Sequence, residues 1–293
     1  AHDRWTSGPN CPATRRASCT SGCSKTSTGP TPVARSSASM SHPYLAGPAP
    51  IAFAHQGGAS EFPENTLPAF DNAYRLGYRY METDVHASSD GVLFAFHDPD
   101  LQRTCARPGL IRDLTAEEIA SVRVAGREPI PRLDELLTTW PDAKFNIDCK
   151  SDHALPYLLE RLRKGDMFER VCIGSFSDAR LDAVRREFGP RICTSMGPRD
   201  VAKVRLGTWV GRTPSFRGEA VPLAAQVPVR QGPLPIVTRS FVEGAHSAGL
   251  QVHVWTIDDA DEMHRLLDLG VDGIMTDEVT LLRKVITDRS QWR

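Results

Sequence analysis

The sequence has no excess of charge of either sign. Lys and Arg number 35 against 36 Asp and Glu, a net of −1. That argues against a broad nucleic-acid surface, which needs a concentrated positive field. No apolar run approaches the roughly 20 residues that cross a bilayer, and no signal-peptide pattern stands at the start. Aromatic residues are scarce, at 7%, and the loops show no evident membrane-seeking cluster. Cysteine gives no disulfide framework, because seven is an odd count. Cys149, Cys172 and Cys193 sit in apolar runs, which suits free thiols in a reducing, cytoplasmic setting, and Cys105 stands apart. Cys19 and Cys23 are not followed by a second ligand pair at zinc-finger spacing.

Periodicity is also missing from residues 1–39, which are rich in Ser, Thr, Pro, Arg and Cys. That composition points to disorder. The first methionine is Met40. We expect the physiological start there, with residues 1–39 a disordered or mis-assigned extension.

The rest is patterned. A chain of 293 residues, 40% hydrophobic, can bury one large barrel or two small domains. From Ile51 short apolar runs alternate with helical patterns. Strands are predicted at 51–55, 80–85, 145–150, 171–176, 192–196, 224–228, 251–257 and 273–277. Helices are predicted at 67–76, 133–139, 155–164, 179–188, 199–206, 238–248, 260–269 and 278–286. Eight strand-then-helix units predict an α/β fold, a (β/α)8 TIM barrel spanning 50–287. Val92–His97 reads as an added strand, and residues 99–130 as an insertion with little regular pattern after the second barrel strand. Gly77, Gly249 and Gly270 follow helical runs, where a left-handed cap is wanted.

The chemistry concentrates in Ile51–Asp98. His55 and His97 each end an apolar run, and Glu82 and Asp84 lie between them. In a strand, residues i and i+2 face one way, so both carboxylates aim at one spot. They repel unless compensated, and a hard divalent cation is the usual answer. Asp148 and Lys150 form a second i, i+2 pair. In a barrel all of these fall at the C-terminal strand ends, where active sites lie.

In this order, His55-Gln56-Gly57, Glu64-Asn65-Thr66, Glu82-Thr83-Asp84-Val85, Asp90-Gly91 and His97-Asp98 resemble the glycerophosphodiester phosphodiesterase family. The resemblance runs from about Ile51 to Val285. It implies hydrolysis of glycerophosphodiesters to glycerol 3-phosphate and an alcohol. His55 and His97 would share acid and base work; Glu82, Asp84 and Asp148 would hold Mg2+ or Ca2+. Lys150, Gln56 and Trp255 would contact substrate. Glu64 and Asn65 would orient the groups in front of them, although Asn65 could simply cap the first helix. Most of the family has Arg where Gln56 stands and often Glu where Asp148 stands. The expected partner is a small glycerophosphodiester, with no nucleic acid. A lysophospholipase D acting on lipid head groups is the alternative; it implies transient membrane contact and an apolar groove or exposed aromatic patch beside the site.

Overall fold

Eight parallel strands close a ring in this computed structural model, which describes residues 42–212, 214–216, 218 and 221–292. The strands are β1 (Ile51–Ala54), β2 (Tyr80–Ala87), β3 (Lys144–Cys149), β4 (Val171–Gly174), β5 (Cys193–Thr194), β6 (Ala224–Pro228), β7 (Gln251–Trp255) and β8 (Gly273–Thr276). They pair in sequence order, and β8 returns to β1 through Ile51–Gly273 to Ala54–Thr276. The ring closes between β5 and β6 by one parallel bridge, Ser195–Ala224. The expected (β/α)8 barrel is present. The expectation for residues 1–39 and Met40 lies outside the described residues.

A helix follows each strand, and their apolar faces form the outer core. Leu133, Leu136, Leu158, Leu162 and Val184 pack on one half of the ring, and Phe241, Met263, Leu266, Leu282 and Val285 on the other. Gly77 and Gly270 take φ of 97° and 94°, the left-handed geometry that ends the helices before them. Among the described residues no helix is long and apolar enough to cross a membrane.

The insertion after β2 is present as expected, with more regular structure than its sequence shows. The added strand is Leu93–Ala95, antiparallel to the end of β2. Residues 99–130 are not irregular: they hold short helices at Gln102–Cys105 and Ala116–Ala120, and a ribbon of Arg123–Val124 with Glu128–Pro129. Phe96, Leu101, Ile111, Ile119 and Val124 give them a core of their own. Elements of two to five residues are too short to show a period, although Thr115 and Glu118 form a capping box that marks one start.

The N-terminal end of the barrel is plugged. Tyr44 and Leu45 pack with Phe53, Tyr80, Cys172 and Cys193 beneath the ring. Lys144 Nζ ties this plug down, donating to the carbonyls of Pro43 (2.6 Å) and Tyr44 (2.9 Å). Cys149, Cys172 and Cys193 are buried free thiols, and Cys105 is half-buried. The cavity at the other end is where the site lies.

Candidate active site

Register stacks the site in layers. Across β2 and β3, Glu82 sits beside Asn146 and Asp84 beside Asp148. With Lys150, these side chains line one cavity of about 790 Å³ at the C-terminal mouth. His55, His97 and Trp255 line it as well.

Lys150 binds the two aspartates together. Its Nζ lies 2.8 Å from Asp84 Oδ1 and 2.8 Å from Asp148 Oδ2. Burial works against its ammonium, but the two carboxylates outweigh burial and hold it charged. Asp84 takes further donors on Oδ2, from Gln56 Nε2 at 2.7 Å and Asn65 Nδ2 at 3.1 Å. Burial alone would raise its proton affinity; Lys150 above all pulls it below the ordinary carboxylate value. Asp148 is less well supported. Burial raises it, and Lys150 offsets only part of that.

Glu82 carries the excess. It accepts from the Gln56 backbone N–H at 3.1 Å. Burial and the charge of Asp84 push its carboxyl up to about 8. His55 Nε2 stands 3.8 Å away. Burial disfavours its imidazolium, but Glu82, Asp277 and Asp84 together raise it to about 9. With all three carboxylates ionised the pocket would hold more negative charge than Lys150 balances, and the upward shifts of Glu82 and His55 are its response.

Each histidine has a carboxylate behind it. His55 Nδ1 meets Asp277 Oδ1 at 2.8 Å, and His97 Nδ1 meets Asp98 Oδ1 at 2.6 Å. Such a contact fixes ring and tautomer and leaves Nε2 for proton transfer. Asp98 is itself held. Arg103 Nε donates to Asp98 Oδ2 at 2.6 Å, while its two terminal nitrogens fork onto Glu64 at 2.6 Å each. Arg103 first, then His97, pulls Asp98 down to about 2.

His55, His97, Glu82, Asp84, Asp148, Lys150 and Trp255 all line the cavity. Gln56 does not. Its φ is 50°, and this left-handed turn sends the side chain under Asp84, where it is buried. Its amide is spent on a carboxylate rather than turned toward a phosphate. Asn65 also holds Asp84, and its Oδ1 accepts from Thr83 Oγ1 at 2.7 Å. The helix cap position falls to Thr66, so Asn65 is not the cap. Sequence reasoning gave no role to Asp277, Asp98, Arg103 or Asn146. For Asn146 a signal existed, since it shares the i, i+2 phase of Asp148 and Lys150.

The three-carboxylate metal cage is not preformed. Among the described residues no group of three or more His, Cys, Asp or Glu side chains is arranged to hold an ion. Lys150 stands between two of the expected ligands. Yet Asn146 Oδ1 and Asp148 Oδ1 are buried with no hydrogen-bond partner. Two orphaned oxygens beside Glu82, whose ionisation the pocket now opposes, form an oxygen-only acceptor set that lacks a positive partner. That chemistry fits a hard divalent cation.

The chain is similar to known proteins over most of its length. The profile of the glycerophosphoryl diester phosphodiesterase family matches residues 55–281. The chain is 37% identical over 244 residues to the Mycobacterium tuberculosis protein named "Probable glycerophosphodiester phosphodiesterase 2", covering 83% of this chain and 92% of that protein. The crystal structure of a Thermotoga maritima glycerophosphodiester phosphodiesterase is 27% identical, with a TM-score of 0.64 over 80% of this chain and 97% of that one. An Oleispira antarctica phosphodiesterase solved with its product sn-glycerol-3-phosphate is 21% identical, with a TM-score of 0.66 over 82% of this chain and 97% of that one.

Proposed function

The chain belongs to the glycerophosphoryl diester phosphodiesterase family, and on that premise we propose that it hydrolyses glycerophosphodiesters by two carboxylate-backed histidines facing one carboxylate–lysine cluster. The observation that carries this reading is the pairing of His55 with Asp277 and His97 with Asp98 on the wall of a single cavity.

A phosphodiester resists attack because its negative charge repels nucleophiles. Lys150 would meet a non-bridging oxygen. As it turns toward the phosphate, Gln56 and Asn65 continue to hold Asp84. One histidine Nε2 takes the proton of the attacking hydroxyl as the new P–O bond forms. The other gives a proton to the departing alkoxide as the old P–O bond breaks. Each transfer contributes about 10²–10⁴-fold. Asp277 and Asp98 keep both rings aimed. The attacking hydroxyl belongs to water, or to the neighbouring glycerol carbon with a cyclic phosphate that water then opens.

Glu82, Asp148 and Asn146 would hold a divalent cation, Mg2+ or Ca2+, with Asp84 beside them. Bound there, it would supply positive charge to the phosphate and relieve the carboxylate surplus. The relative bound to sn-glycerol-3-phosphate supports glycerol 3-phosphate as the product retained here. The test is a panel of glycerophosphodiesters and lysophospholipids, each assayed with Mg2+ and with Ca2+. Release of glycerol 3-phosphate supports the reading, and no turnover of any glycerophosphodiester sinks it.

A further inference from the structure

The cavity continues past the reacting groups. Beyond Trp255 it runs between the helix Pro198–Trp209 and a ribbon formed by Arg230–Gln231 and Leu234–Pro235. This wing is mostly apolar, lined by Val201, Ala202, Leu206, Leu234 and Ile236, with Arg205 and Gln231 the polar side chains among them. Its rim is unusual. The large apolar side chains exposed among the described residues are Phe176, Leu206, Trp209, Val210 and Leu234. Three of them line the cavity. Trp209 is 75% exposed and sits three residues past Leu206, hence on the same helical face. Val210, 67% exposed, follows at the helix end. Soluble surfaces scatter such residues singly; here they gather at one mouth.

The same stretch is cationic. Between Asp200 and Glu243 the sequence holds Lys203, Arg205, Arg212, Arg217, Arg230 and Arg239 against one acid, Glu219. The whole chain has a net charge of −1, so this bias is local. Lys203, Arg212 and Arg230 are exposed. Trp and aliphatic side chains flanked by Lys and Arg form the signature of an element lying in the headgroup boundary of a bilayer.

We propose that this rim docks the enzyme on an anionic lipid surface. Trp209 and Val210 enter the interface, while Lys203, Arg212 and Arg230 face the headgroup phosphates. The apolar wing then opens onto the surface, so a phosphodiester carrying a hydrocarbon chain reaches the histidines without crossing water. This use of the wing rests on the phosphodiesterase reading. Docking itself does not, because vesicle binding is measured without turnover.

The experiment is flotation of the full chain with phosphatidylglycerol/phosphatidylcholine vesicles and with phosphatidylcholine alone. Binding is expected on the anionic vesicles and is weakened by salt, which screens headgroup attraction. Trp209→Glu and Val210→Glu should each weaken it at least about tenfold, from lost burial and added repulsion. Neither residue lines the cavity, so hydrolysis of glycerophosphocholine in solution should be unchanged. Should a Glu variant melt early, Lys203→Glu and Arg212→Glu provide the same readout. Failure of wild type to float with anionic vesicles overturns the proposal, as does binding that all four variants leave intact. A concentration-dependent dimer, lost in Trp209→Glu and unaccompanied by vesicle binding, would assign the rim to a second copy of the chain. Vesicle binding without turnover of any glycerophosphodiester or lysophospholipid would instead remove the phosphodiesterase reading and leave docking standing.

Discussion

Asp277 Oδ1 lies 2.8 Å from His55 Nδ1, although 222 positions separate the two residues in the chain. The contact exists because β8 pairs with β1 and brings the ends of both strands to one rim. It fixes which nitrogen of His55 faces the cavity. Asp277→Asn should keep the fold and lower kcat more than KM, by about tenfold to a hundredfold. An unchanged kcat in steady-state assays would remove Asp277 from the mechanism.

His55→Ala and His97→Ala should each lower kcat/KM by at least about 10²-fold with an unaltered melting transition. The wild-type pH–rate profile should be bell-shaped, and each His→Gln variant should lose one limb. The lost limb identifies base and acid. A folded variant with near-normal turnover would clear that histidine of any role.

Arg103 grips Asp98 and Glu64 together, and so holds the acid behind His97. Arg103→Ala should lower kcat by about tenfold or more, through a mispositioned His97 ring. Arg103→Lys cannot form the fork and should recover only part of the loss. Equal activity in wild type and Arg103→Ala would show the network to be structural.

Chelation should abolish turnover, and adding Mg2+ or Ca2+ should restore it. The ion should also raise the melting temperature of the folded chain by mass action. Asn146→Ala and Asp148→Asn should shrink that rise, since the first removes an orphaned acceptor and the second removes the charge beside the other. Full activity in excess chelator defeats the metal assignment. Gln56→Arg should not add a phosphate contact, because this side chain lies under Asp84. A second cation there competes with Lys150, so activity should fall.

Stability should vary with pH through His253. Its ring is fully buried, and burial lowers it from 6.5 to about 4. Below 6.5 the unfolded chain takes up a proton that the folded ring refuses. The His253 contribution to stability is therefore full above 6.5, falls as pH drops, and levels off below about 4. At ~1.4 kcal/mol per unit this spans about 3 kcal/mol. Melting curves of wild type and His253→Asn between pH 7 and 4 should show a shallower slope for the variant. Identical slopes would refute the assignment.

The alternation of strand and helix was legible in the sequence because periodicity is local: apolar runs of four to eight residues separated by helical stripes give a parallel α/β sheet, and eight such units suit a closed barrel. The shared face of Glu82 with Asp84, and of Asp148 with Lys150, was legible for the same reason. What those pairs meet was not. Lys150 joins Asp84 to Asp148 only because β2 and β3 are in register. A positive φ at Gln56, not its residue type, turns that amide beneath Asp84 and away from the cavity. The apolar rim was invisible to composition, since its members at 176, 206–210 and 234 are adjacent only after folding. Side-chain phase follows from the pleat of one strand, whereas partnership across the ring follows from closure and register, and those are set by the whole chain at once.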